Sequence, residues 1–184
     1  MNESDFQLIP RYLSKPYYFY LLEKLKQSGV LTEEANLRIN ECLKMLLVIL
    51  NSKGTAPISK AIDDVWHLMI LETREYEKFC LSLPEARFIH HRSVVFERIE
   101  KGPATKESFS NSLKEKLSWF VSYYKNFGAF KEAVLDFWPL TKEIMKDKKL
   151  TLDEFNALLK SAAFDHSVRR TLAPKEDNLS SSFS

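Results

Sequence analysis

Four glycines in 184 residues, Gly29, Gly54, Gly102 and Gly128, restrict this chain more than any other feature. Glycine supplies left-handed backbone and lets a main chain approach a phosphate closely. Hairpin-rich β folds and Gly-rich nucleotide loops need it repeatedly, so the supply alone argues against both classes. The four glycines and seven prolines act instead as punctuation between helical stretches. Hydrophobic residues make up 45% of the chain and aromatics 12%, enough for a sizeable core, which excludes wholesale disorder and fibrous architectures.

The stretches between these marks carry apolar residues at helical spacing. Pro16 opens a segment with Tyr20, Leu21, Leu22 and Leu25 that stops at Gly29. Thr32 reads as an N-cap, with Glu33 and Glu34 where the helix dipole favours acids. The helix it opens runs to about residue 51 and is apolar almost all round through Cys42, Leu43, Leu46, Leu47, Ile49 and Leu50, so it is expected at the centre. A second long helix is expected over 59–83, with Ile58, Ile62, Val65, Met69, Tyr76, Phe79 and Cys80 on one stripe and Pro84 ending it. A third, over 105–127, places Phe109, Leu113, Leu117, Phe120, Val121 and Tyr124 on its buried side. Shorter pieces cover 130–138 and 151–164, the latter opened by the capping box Thr151-Leu152-Asp153-Glu154. No alternating strand pattern and no repeat period appears. The expectation is an all-α chain: one compact domain of five to six helices over residues 1–172, without significant sheet, and a disordered polar tail over 173–184.

Lys and Arg total 27 and Asp and Glu 25, a net charge of +2 with the signs interspersed. A protein that tracks a phosphate backbone carries a basic stripe, so nucleic acid is not an expected partner. The longest apolar run, Met45 to Leu50, falls far short of the roughly 20 residues of a membrane span. Cys42 and Cys80 both sit in apolar helical patterns and are expected to be buried and unbridged. The polar start Met1-Asn2-Glu3-Ser4-Asp5 is no signal peptide, and a reducing, cytoplasmic setting is expected.

Residues capable of chemistry concentrate between 63 and 91: Asp63, Asp64, Trp66, His67, Tyr76, Cys80, His90 and His91. Three of the four histidines fall here, the fourth being His166. Asp63, His67, Cys80, His90 and His91 include the usual ligand types for zinc and other transition metals. Helix geometry prunes the set. On a continuous helix, His67 and Cys80 are separated by roughly 20 Å along the axis and about 140° around it. Zinc bonds are only about 2.0–2.3 Å long, so Cys80 is assigned to the core stripe. Asp63 stands one turn before His67 and can orient its imidazole. An extended return from Leu83 covers up to about 23 Å, against about 24 Å of helix from His67 to Leu83. His90 or His91 is thus expected within about 8 Å of His67, close enough for ligation or a bridging water. Adjacent Asp63 and Asp64 point about 100° apart and make no shared-proton pair. The segment 147–155 echoes the exit of a calcium loop but lacks its turn glycine and alternating acids.

Two functions are consistent with these residues. One is a small helical binding or accessory module with a protein partner and no catalysis, favoured by the mixed charges and the lack of a complete catalytic set. The other is a metal-binding protein or metal-dependent enzyme whose site, built from His67, His90, His91 and Asp63, takes a transition metal such as zinc.

The strings Ile62-Asp63-Asp64-Val65-Trp66-His67, Tyr76-Glu77-Lys78-Phe79-Cys80 and Phe88-Ile89-His90-His91 resemble small bacterial proteins related to the glycine-rich domain-containing protein family. The shared pattern is an Asp-x-x-Trp-His helix, a Tyr-x-x-x-Cys turn and a downstream His pair. The resemblance implies that Asp63, Trp66, His67, Tyr76, Cys80, His90 and His91 are motif positions, and it implies no particular reaction. This chain departs from the pattern in having no glycine-rich region, and Glu85-Ala86-Arg87 stands where a glycine would precede the His pair.

Overall fold

The computed structural model describes residues 7–50, 52, 56–91 and 106–164, with side chains in the last segment from residue 117 onward. Among the described residues there are eight α-helices and one 3-10 helix, and no strand. The all-α expectation holds, while the helix number exceeds the five to six expected. The proposed tail, 173–184, and residues 165–172 of the expected domain lie outside the described residues.

Helix α1 (Leu8–Tyr12) stops at the extended Leu13. Ser14 then caps α2 (Lys15–Gln27), its hydroxyl accepting from the Tyr17 amide. Helix α2 ends where Gly29 takes φ +84, with the Gly29 amide donating to Lys26 and the Val30 amide to Leu25. That pair of bonds is the Schellman arrangement, which needs a left-handed residue at this position. A Cβ on Gly29 would meet nothing within 4 Å, so conformation rather than space selects glycine there.

Helix α3 (Thr32–Ile49) is the hub, packed against α1, α2, the later helices Lys60–Leu71 and Lys106–Phe127, and the 3-10 helix Glu132–Phe137. Its buried side chains include Ile39, Cys42, Leu43, Met45 and Leu46, as its all-round apolarity predicts. Thr32 does not cap it: Leu31 occupies the cap position without a side-chain bond, and Thr32 is the first helical residue.

The expected single helix over 59–83 is two helices, α4 (Lys60–Leu71) and α5 (Thr73–Ser82), broken at Glu72 (φ −89, ψ 66). No glycine or proline marks the break. Its partner comes from α2, where the buried Tyr17 hydroxyl donates to the Met69 carbonyl at 2.8 Å. An uninterrupted helix would offer that carbonyl to the amide of residue 73. Glu72 in turn supplies the carbonyl that receives the Tyr76 amide and starts α5.

Helix α6 (Lys106–Phe127) ends at Gly128, φ +80. It buries Trp119, Phe120 and Tyr123, while Leu117, Val121 and Tyr124 are only half-buried; Phe109 and Leu113 lie outside the described side chains. The 3-10 helix (Glu132–Phe137) leads into α7 (Pro139–Lys148), a helix not foreseen from the sequence. Helix α8 (Leu152–Phe164) follows and packs on α6. Its capping box forms as expected: the Thr151 hydroxyl accepts from the Glu154 amide, and the Glu154 carboxylate accepts from the Thr151 amide at 2.8 Å.

The two halves of the chain meet at a buried carboxylate. Glu41 on α3 is fully buried and accepts from Lys44 Nζ at 2.6 Å, Trp138 Nε1 at 2.9 Å and the Tyr123 hydroxyl at 3.0 Å. Around it, Tyr123 stacks on Phe130 with ring centroids 4.1 Å apart, and Trp138 meets both edge-on.

Candidate metal centre

Asp63 and His67 occupy successive turns of α4, so their side chains share one face of the helix. That face lies beside the buried stripe of Ile62, Val65, Trp66 and Met69, which places the pair at the boundary of core and solvent. After α5 the chain turns at residues 83–86, where Ala86 takes φ +44, and then runs back without helix to residue 91. The expected return along the helix is therefore made, and it delivers His91 to Asp63.

The three side chains converge. His91 Nε2 lies 3.0 Å from Asp63 Oδ1, and His67 Nδ1 lies 3.5 Å from Asp63 Oδ2. The two imidazole centroids are 4.3 Å apart, well inside the expected 8 Å. One ligand atom from each of Asp63, His67 and His91 fits within a set whose members are all within 4.8 Å of one another. Nitrogen and oxygen ligands about 2.0–2.2 Å from a tetrahedral ion stand roughly 3.4 Å apart, so small side-chain rotations suffice to close this set on an ion. The side chains are graded in exposure, His91 at 15%, Asp63 at 38% and His67 at 52%. One edge of the site is thus packed against protein, and the other faces water.

The remaining candidates lie apart from this group. His90 is exposed and its ring packs on Phe88, centroids 4.9 Å apart. Along an extended chain neighbouring side chains point to opposite sides. Ile89 is buried and His91, two residues on, shares its inward side, while Phe88 and His90 are exposed on the other. Asp64 pairs with Lys60 at 2.6 Å on the helix surface. Cys80 is fully buried in the core, as is Cys42, and neither is bridged. Burial pushes both thiols above the ordinary cysteine range. A cavity of about 500 Å³, lined by Glu132, Leu135, Lys142 and Lys146 among others, contains none of these histidines.

Sequence reasoning weighed His90 and His91 equally and missed the support around the latter. Trp66 lies edge-on to His91, with centroids 4.5 Å apart. Trp66 Nε1 donates to the Tyr76 hydroxyl at 2.9 Å, and that hydroxyl donates to the Ile89 carbonyl at 2.7 Å. The available signal was Ile89 itself, an apolar residue two positions before His91 in a segment flanked by Pro84 and the His pair.

A family model described as UCP032817-like matches residues 7–117, a span that takes in every member of the cluster. No curated protein and no solved structure matches the chain.

Proposed function

The chain belongs to the UCP032817-like family, and we propose that it is a metal-binding protein whose Asp63, His67 and His91 hold one divalent transition ion such as zinc. The observation that carries this reading is the convergence of two imidazoles on one carboxylate, at 3.0 and 3.5 Å, from residues 28 and 24 positions apart in the case of His91 and fixed by helix register in the case of Asp63 and His67. Two histidines and a carboxylate form a ligand set used by catalytic zinc and by non-haem iron, with further positions left for water or substrate. The exposure of His67 is consistent with such an open position. An ion bound in this way polarises a ligand oxygen or acidifies a bound water. The chain's own part is to supply three ligands, each presented through an unprotonated nitrogen or oxygen. His90, included among the candidate ligands from the sequence, is left out of the proposed set.

The test is elemental analysis and zinc titration of protein purified without a histidine tag. One equivalent of metal is expected, lost in His67→Ala, His91→Ala and Asp63→Ala and kept in His90→Ala. Substoichiometric metal that His67→Ala leaves unchanged would sink the reading.

A second reading, a binding or accessory module with a protein partner and no catalysis, is favoured by the exposure of Leu71 (70%) and Phe88 (45%), at the end of α4 and on the returning segment. The two buried, unbridged cysteines support a reducing, cytoplasmic setting for either function.

A further inference from the structure

The Tyr-x-x-x-Cys string contributes no ligand, yet it faces the segment that carries one. Tyr76 and Cys80 stand one turn apart on α5 and so share a face. The Tyr76 hydroxyl donates to the Ile89 carbonyl at 2.7 Å. The Tyr76 oxygen also accepts from Trp66 Nε1 at 2.9 Å, and Trp66 is the ring that lies against His91. Tyr76 is 1% exposed and Cys80, Ile89 and Trp66 are buried with it. No strand pairs with residues 86–91 among those described, so side chains supply the bonds that a sheet ladder would otherwise give.

We infer that Tyr76 is the positioning residue of the metal site, holding His91 in ligating place through the Ile89 carbonyl and through Trp66. The inference rests on the reading of Asp63, His67 and His91 as ligands. It makes the separate strings of the sequence one device: Asp63, His67 and His91 hold the ion, and Trp66 and Tyr76 hold the segment that carries the third ligand. A ligand on a loosely held segment must be ordered when the ion binds, which weakens affinity. Loss of a group that orients a metal ligand typically costs about 10–100-fold in affinity.

The test compares zinc affinity, by calorimetric titration of the full chain, in the wild type, Tyr76→Phe and Trp66→Phe. Alongside it, proton NMR of the metal-free proteins records the cross-peak between the His91 and Trp66 rings. Tyr76→Phe is expected to weaken zinc binding about 10–100-fold and to lose or shift that cross-peak, with the other core resonances in place. Trp66→Phe, which deletes the indole donor and keeps a ring, is expected to weaken it less, and it carries the affinity test if Tyr76→Phe fails to fold. Wild-type affinity in the folded variant, with the cross-peak unchanged, overturns the inference and leaves the metal site standing. A wild type that binds no zinc overturns the metal site and the inference with it.

Discussion

Replacing Glu41 by alanine should destabilise the protein by about 3–5 kcal/mol, the usual cost of breaking a buried charged pair from one side. The structure shows where the loss arises. Three donors converge on this carboxylate, Lys44 Nζ, the Tyr123 hydroxyl and Trp138 Nε1, and hydrogen bonds to a charged group are worth about 1.5–3 kcal/mol each. Their gross sum overshoots, because Lys44 keeps some contact with solvent and its ammonium can swing outward once the carboxylate is gone. The indole of Trp138 has no such route, since the residue is fully buried. Glu41→Gln is the control: one oxygen still accepts from Tyr123 and Trp138, and only the Lys44 contact is lost, so about 1–2 kcal/mol is expected. Urea unfolding followed by tryptophan fluorescence measures both, with Trp138 as an internal reporter. At about 2–4 °C per kcal/mol for a chain of this size, the alanine variant should melt roughly 6–20 °C lower. An alanine variant within about 1 kcal/mol of wild type, or a glutamine variant as damaged as the alanine one, would refute this account of the junction.

Tyr17→Phe removes the hydroxyl that serves the Met69 carbonyl at the α4–α5 corner, and should cost about 1–2 kcal/mol in the same urea assay. Lys149 ends α7 in left-handed backbone, φ 55, a conformation that disfavours a side chain. Lys149→Gly should therefore stabilise the protein by up to about 1 kcal/mol and raise its melting temperature by about 2–4 °C. The Glu154 carboxyl lies below the usual glutamate range because the Thr151 amide and hydroxyl bond to its charged form. A folded-state pKa below the unfolded one means that this contribution is complete above the ordinary glutamate value and disappears as pH falls through the lowered one. The urea midpoint of Glu154→Gln should therefore fall less than that of wild type on acidification below about pH 4.5, and equal pH profiles would count against the capping box.

Much of this was legible where the cause is local. Gly29 and Gly128 end helices because each takes a positive φ, and the Thr151–Glu154 box is visible in four consecutive residues. The centrality of α3 followed from its all-round apolarity. What escaped notice depends on residues distant in sequence. The break at Glu72 is partnered by Tyr17, 52 residues before Met69. Helix α7 was hidden because Lys149, rather than a glycine, takes the left-handed position at its end. The buried face of α6 centres on Trp119 and Tyr123 because Tyr123 must reach Glu41 on α3, which helical periodicity cannot reveal. At the site, helix register placed Asp63 beside His67, and a chain-length estimate brought the His pair within range. Choosing His91 over His90 required knowing which side of the returning segment is buried, and that is decided by Tyr76, Trp66 and the Ile89 carbonyl.

The Glu41 junction also sets an order of events during synthesis. Tyr123 and Trp138 follow Glu41 by 82 and 97 residues. At about 5–20 residues per second, a ribosome needs roughly 5–20 s to add the second of them. Through that interval α3 carries an acidic side chain in a largely apolar surface, and only Lys44, three residues on, is present to answer it. Hydration of that carboxylate opposes its burial until the aromatic donors arrive. The contacts of the hub helix with Tyr123 and Trp138 are therefore the last of its contacts to close, after the corner that carries Asp63, His67 and His91 has been synthesised.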